Sequence, residues 1–262
     1  MTRQAGRSTI SRFFPVQNTA AEDAGAGKLN PDPAPRRFLT MKRFWRENGL
    51  SVVMLGMFFL VFIFGQAYSG WREDNDDRVQ HGLRPHDLPE YLTSAHFAEA
   101  TMENWESEFL QMGVFVLFTV FLYQKGSAES KDPDKREEVD REPRNVRDKR
   151  KAPWPVRRGG WVLKLYENSL SLAFFLLFFV SFFLHAVSGR LEYNEDQALH
   201  GAPAVTVGGY MASSRFWFES FQNWQSEFLA IGCMVIFSIY LRQKGSPESK
   251  PVDAPHSETG GG

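Results

Sequence analysis

A chain of 262 residues with a formal net charge of −1 and a single cysteine excludes several classes at the outset. Near-neutral charge gives no electrostatic case for nucleic-acid binding, and one cysteine permits no internal disulfide and argues against a cysteine-built metal centre. The 43% hydrophobic content matches a soluble domain, but most of the 24 phenylalanines and their apolar neighbours are gathered into four blocks, and this segregation governs the reading.

Residues 1–40 are rich in Ala, Gly, Pro and Arg without periodicity and read as a disordered tail; MKRFWREN, from Met41, has the basic look of a translation start. The first block, LSVVMLGMFFLVFIFGQAY (50–68), approaches the ~20 apolar residues that cross a bilayer core, giving a span of about 49–68. Asn48 stands where an N-cap would, with Ser51 three residues on. Ala67-Tyr68-Ser69 is an acceptable signal-cleavage pattern, but the apolar core is long for a signal and its counterpart at 166–188 sits mid-chain. E-x-N-x-D-x-x-x-HG (73–82) continues the helix into water as far as Gly82. After a loop with Pro85 and Pro89, a returning helix starts near Ser94, passes Trp105 at the outer interface and enters FLQMGVFVLFTVFLY (109–123). That block reaches spanning length, about 106–124, only with Glu108 included, and Lys125-Gly126 ends it.

Residues 41–131 thus form one helical hairpin, 132–160 a charged linker, 161–250 a second hairpin, and 251–262 a second disordered tail. The second hairpin carries LSLAFFLLFFVSFFLHAV (170–187) and FLAIGCMVIFSIYL (228–241), with spans of about 168–187 and 225–242. Residues 69–131 align with 188–250 without a gap, ENWESEFLQMG with QNWQSEFLAIG and QKGSAESK with QKGSPESK. Upstream, EN-x-LS at 47–51 matches 167–171, so the second copy is one residue shorter near His185. Each copy begins and ends on one side of the membrane, which makes the copies parallel repeats. The fold class expected is an all-α membrane protein of four transmembrane helices in two parallel hairpins, with helical extensions on the extracytoplasmic side.

Lys and Arg fix the orientation. Arg36, Arg37, Lys42, Arg43 and Arg46 precede the first span, a basic run including Lys149, Arg150 and Lys151 lies between the second and third, and Lys244 and Lys250 follow the fourth. The loops 69–107 and 188–226 are acidic. Both termini and the linker are therefore expected in the cytoplasm. The lipid bilayer is one partner; the others are a second copy or another membrane protein, with no nucleic acid.

The polar residues repeated in both copies are the candidate sites. On each returning helix a stripe at three- and four-residue spacing holds Asn104 and Glu108, or Asn223 and Glu227, with Trp105 and Trp224 as interface anchors. Three roles fit: interhelical hydrogen bonds with Gly113 and Gly232 allowing close packing, a shared ion or proton site, or carboxylates that snorkel to the surface. Outside the spans, Asp77 and His81 with Asp196 and His200 offer imidazoles and carboxylates to a divalent metal, although a His-Gly pair also ends a helix. His185 lies inside a span without a histidine mate, which excludes bis-histidine haem and leaves packing or a hydrogen bond near the outer interface. Cys233 reads as an apolar filler. No phosphate loop, HExxH, nucleophile elbow or CxxC occurs, so no cofactor and no catalytic residue are expected.

With MKRFWRENGLS, NWxSEFL and QKGSxESK in order, the chain resembles a family of bacterial integral membrane proteins known as a domain of unknown function, over 41–131 and 162–250. The resemblance implies a bacterial inner-membrane protein and lends no activity. The expected function is non-enzymatic, structural or partner-binding; the alternatives are a small ion or proton channel or transporter using the paired glutamates, and extracytoplasmic divalent-metal binding.

Overall fold

The computed structural model describes residues 36–145 and 150–260. The tail expected over 1–40 therefore lies, up to residue 35, outside the described residues. Among those described, the regular elements are helical. They are α1 (Arg36–Leu60), a π-helical stretch (Val61–Tyr68), α2 (Ser69–Gln80), α3 (Leu88–Leu92), α4 (Ala95–Phe118), α5 (Trp154–Arg158), α6 (Gly160–Glu167), α7 (Ser169–Leu199), α8 (Val207–Met211) and α9 (Ser214–Tyr240), with short 3₁₀ turns at Glu138–Asp140 and Pro143–Asn145. Two compact units divide after Gly56, and the interior described below belongs to 57–262.

Two helices, Met41–Gln80 and Ser169–Leu199, are long and apolar enough to cross a membrane. Asn48 does not cap the first. Helix already runs from Arg36, an Arg43–Glu47 pair of 2.7 Å supports that turn, and the Asn48 amide donates to the Phe44 carbonyl. Asn168 stands between α6 and α7 but likewise turns its amide back, to the Lys164 carbonyl. Both asparagines offer the donor end where a cap needs an acceptor.

The loop chemistry is local and explicit. α2 and α7 end at His81-Gly82 and His200-Gly201, where glycine takes φ of 70° and 69°. Asn75 then clamps the following loop, accepting from His86 N at 2.6 Å and donating to His86 O at 2.9 Å; Asn194 grips Val205 the same way. Asp87 and Glu90 form a capping box at α3, and the Thr206 hydroxyl caps α8. Ser94 and Ser213 cap α4 and α9 by accepting from Phe97 N and Phe216 N. Each short helix drives a tyrosine inward, Tyr91 and Tyr210, both buried.

Within 57–262, α4 packs most extensively along α7 and next along α9. Gly113 permits the first approach, since a Cβ there would meet Phe175 at 3.3 Å and Phe174 at 3.4 Å. Gly232 has nothing within 4 Å, so the close-packing role expected of it is absent. Trp105 lies on Phe58 and Phe62, and Trp224 on Phe178 and Phe182. Ala186, Tyr210 and Phe216 form a buried cluster walled by Phe182, Tyr193 and Val207; burying such aromatic side chains contributes roughly 2–3 kcal/mol each.

Past α4 and α9 the QKGSxESK motifs close on themselves, Ser130 and Ser249 accepting from Gln124 N and Gln243 N. Residues 251–260 lie against the first of these turns. Thr259 accepts from Gly126 N, and the buried Lys250 ammonium donates to the carbonyls of Gly126, Pro255, His256 and Glu258.

Candidate functional site

The buried face of α4 runs through Glu99, Glu106 and Gly113, with Thr101, Ser107 and Gln111 beside them. Against Glu106, α7 places His185, and both side chains are fully buried. His185 Nδ1 lies 3.0 Å from Glu106 Oε2, and Glu106 Oε1 accepts from Trp224 Nε1 at 3.2 Å. The carboxylate between them fixes the orientation of the imidazole, with Nδ1 toward Glu106 and Nε2 turned the other way. The ring packs on Phe216 with centroids 4.9 Å apart.

On the Nε2 side stand Glu219 of α9 and Glu99 of α4. Nε2 has no hydrogen-bond partner, and the Glu219 Oε2 atom is 3.6 Å away. Tyr210 donates its one hydroxyl hydrogen into both carboxylates, 2.5 Å from Glu219 Oε2 and 3.1 Å from Glu99 Oε1. Glu219 Oε1 accepts from Arg215 Nε at 2.7 Å. One ligand atom from each of Glu99, His185 and Glu219 lies within 4.8 Å of the others; among the described residues this is the group whose geometry could hold an ion.

The electrostatics follow from burial. Desolvation, with the charges of Glu219 and Glu192, pushes the Glu99 carboxyl up to about 7. Burial acts on Glu219 in the same sense but is outweighed by His185, Tyr210 and Arg215, which hold it below its ordinary value. Burial and the two facing carboxylates keep the Tyr210 phenol protonated. A cavity of about 360 Å³ adjoins the group, lined by His96, Glu99, Ala100, Glu103, Glu192, Arg215, Glu219 and Gln222.

The residues repeated in both copies lie elsewhere. Asn104 is exposed and bonds its own helix at Ala100 O, and Glu108 is exposed. Asn223 donates to Glu103 Oε1 at 2.5 Å and to Glu219 O, joining α9 to α4. At Glu227 the backbone carbonyl is engaged by Gln111 Nε2 at 3.2 Å, and its carboxylate lies near enough to that of Glu108 for their charges to interact. Trp224, expected as an interface anchor, orients Glu106 as well, whereas Trp105 contacts aromatic rings. His81 pairs with Asp77 at 3.4 Å and His200 with Asp196 at 3.5 Å, each within one exposed turn, and neither histidine joins the ion-holding group.

The buried group was missed because its members have no like residue at the positions with which the repeat expected from the sequence aligns them. His185 aligns with the Gly65-Gln66 region, Glu106 with Gln225, Glu219 with Ala100, and Glu99 with Phe218. At the corresponding place in the first copy, Gln66 Nε2 merely donates to Thr101 Oγ1 at 2.9 Å. The available signal was this complementarity: a histidine within an apolar block in one half and an unmatched glutamate in the other.

No curated protein and no solved structure is similar to the chain. A family model described as a domain of unknown function (DUF6766) matches residues 41–261. The chain, which is helical over its described elements and carries two helices able to cross a membrane, belongs to that family.

Proposed function

We propose that this is a four-span bacterial inner-membrane protein, with termini and linker in the cytoplasm, that acts without catalysis by holding a small cation at the extracytoplasmic end of its bundle. In this reading α4 and α9 are the returning spans of two parallel hairpins. The exposed apolar run Val53–Val61, and the exposed Leu170, Leu176, Phe179, Phe183 and Leu184 of α7, support lipid contact, since water-facing surfaces rarely leave so many large side chains uncovered. The π-helical stretch at Val61–Tyr68 supports duplication: a π turn absorbs one extra residue, and the alignment places one extra residue of the first copy in this region.

The observation that carries the cation reading is the orphaned His185 Nε2, which faces the carboxylate of Glu219 beside an acidic cavity. An Nε2 turned toward an anion needs a positive charge between them, either a bound cation or a proton on the ring. A ligand that binds the folded state raises its stability by mass action. Purified protein melted with Na⁺, K⁺, Mg²⁺, Ca²⁺, Mn²⁺ or Zn²⁺ is expected to show a higher Tm with at least one of them. His185→Gln/Glu219→Gln is expected to lose that response. A wild-type Tm indifferent to every ion sinks the proposal. A second reading, in which the network only locks α4, α7 and α9 together, is favoured by the complete burial of His185 and Glu106; it predicts a lower Tm in the double variant and no ion response in either protein.

A further inference from the structure

We propose that the cation is a divalent transition metal of the zinc class, bound by His185 Nε2 and by carboxylate oxygens of Glu99 and Glu219. This rests on the cation-holding reading and specifies its ligand.

The donor set is one imidazole and two carboxylates from α4, α7 and α9, and such N/O sets suit Zn²⁺ and its first-row neighbours better than Na⁺, Mg²⁺ or Ca²⁺, which prefer oxygen alone. Separation supports a metal rather than a direct hydrogen bond. Nε2 and Glu219 Oε2 are 3.6 Å apart, too far for a good N–H···O contact. Two ligands at ~2.0–2.1 Å from one ion, at near-tetrahedral angles, sit roughly 3.4 Å apart.

The surroundings are those of a metal-bound histidine. In the metal-bound form Nδ1 donates to the Glu106 carboxylate, which Trp224 holds in turn, and this leaves the Nε2 lone pair for the ion. Tyr210 orients both carboxylates through one hydroxyl. With His185 neutral, the carboxylates of Glu99, Glu106 and Glu219 against the guanidinium of Arg215 leave two negative charges, which one divalent ion balances. Three protein ligands leave a coordination position open, and the cavity lined by Glu103, Glu192 and His96 gives an ion an acidic approach.

The test uses full-length protein, purified in detergent with a tag that contains no histidine, dialysed against Zn²⁺ and then against metal-free buffer, and analysed by mass spectrometry for retained metal. Wild type is expected to keep about one ion per chain, with X-ray absorption reporting nitrogen and oxygen ligands. Glu106→Gln leaves all three ligands in place and is expected to weaken affinity about 10- to 100-fold, the effect of disturbing a histidine's outer partner. His185→Gln is expected to abolish retention. Glu99→Gln, which spares the His185–Glu106 contact, serves if His185→Gln does not fold. His81→Ala/His200→Ala is expected to keep the ion. Absence of retained Zn²⁺ in wild type overturns this inference, as does retention unaffected by His185→Gln or Glu99→Gln. A Tm that still rises with Na⁺, Mg²⁺ or Ca²⁺ alone would leave the broader cation reading standing while this one falls.

Discussion

Glu106 and Glu108 stand two positions apart on α4, and their surroundings separate their roles. Glu106 is fully buried between His185 and Trp224, whereas Glu108 is exposed. Removing the charge from a buried, hydrogen-bonded partner costs about 2–4 kcal/mol, and an exposed substitution changes stability by about 0.5 kcal/mol or less. Melting curves should therefore separate Glu106→Gln clearly from Glu108→Gln; equal effects would contradict the placement of the buried face. Glycines give a second pair. A Cβ on Gly189 would lie 2.5 Å from the Tyr210 hydroxyl and 2.8 Å from Glu99 Oε1, while one on Gly232 meets nothing. Gly189→Ala is expected to cost about 1–3 kcal/mol, and Gly232→Ala to gain up to about 1 kcal/mol from helix propensity. Glu103 supplies the pH dependence. Burial raises its carboxyl above the ordinary value although Gln222 and Asn223 donate to it. The folded state then holds a proton that the unfolded state releases, so this group's contribution falls as pH rises above the unfolded value. Glu103→Gln should match wild type in acid and exceed it in melting temperature at pH 8; an equal Tm at both pH values would contradict this. The interior chemistry was hard to read in the sequence for one reason. Attention to residues present in both copies selects what the copies share, chiefly loop clamps such as Asn75 and Asn194, and passes over what only one of them carries.

At the scale of elements, the legible signals were those whose cause is local. Ser94 and Ser213 need only a helix on their C-terminal side to act as caps, and Gly82 and Gly201 need only a positive φ at a helix end. Asn48 failed as a cap because helix continues upstream of it, and a cap exists only where the helix starts. The extended stripe of α4 failed for a different reason. That helix packs between α7 and α9, so its buried face is set by partners distant in sequence and passes through Glu99 and Glu106 instead of Asn104 and Glu108. The π-helical stretch yields a test of the duplication. Deleting Gly65 should convert 61–68 to regular helix, bring the first copy to the length of the second and leave the upstream face in phase. Deleting Val180 from α7 should rotate everything upstream by about 100° and carry Phe178 away from Trp224. The first deletion is expected to fold with a small loss in Tm, and the second to abolish folded protein in detergent. Equal tolerance of both would count against the π turn as an accommodated insertion.

For the whole molecule, a helical fold with two membrane-compatible helices encloses a buried polar group built on Glu99, Glu106, His185 and Glu219. The helical character and the two helices able to cross a membrane were visible early because apolar blocks report on the solvent of each segment and need no knowledge of packing. The central claim is that the acidic loops and the His185 group face away from the cytosol while the linker and C-terminus face toward it. Labelling of single cysteines by an impermeant maleimide in spheroplasts, on a Cys233→Ser background, measures this directly. Cysteines replacing Pro85 and Pro203 are expected to react before permeabilisation, and those replacing Lys135 and Asp253 only after it; the reverse pattern, or a loop at 85 or 203 that stays protected in intact spheroplasts, would contradict the account.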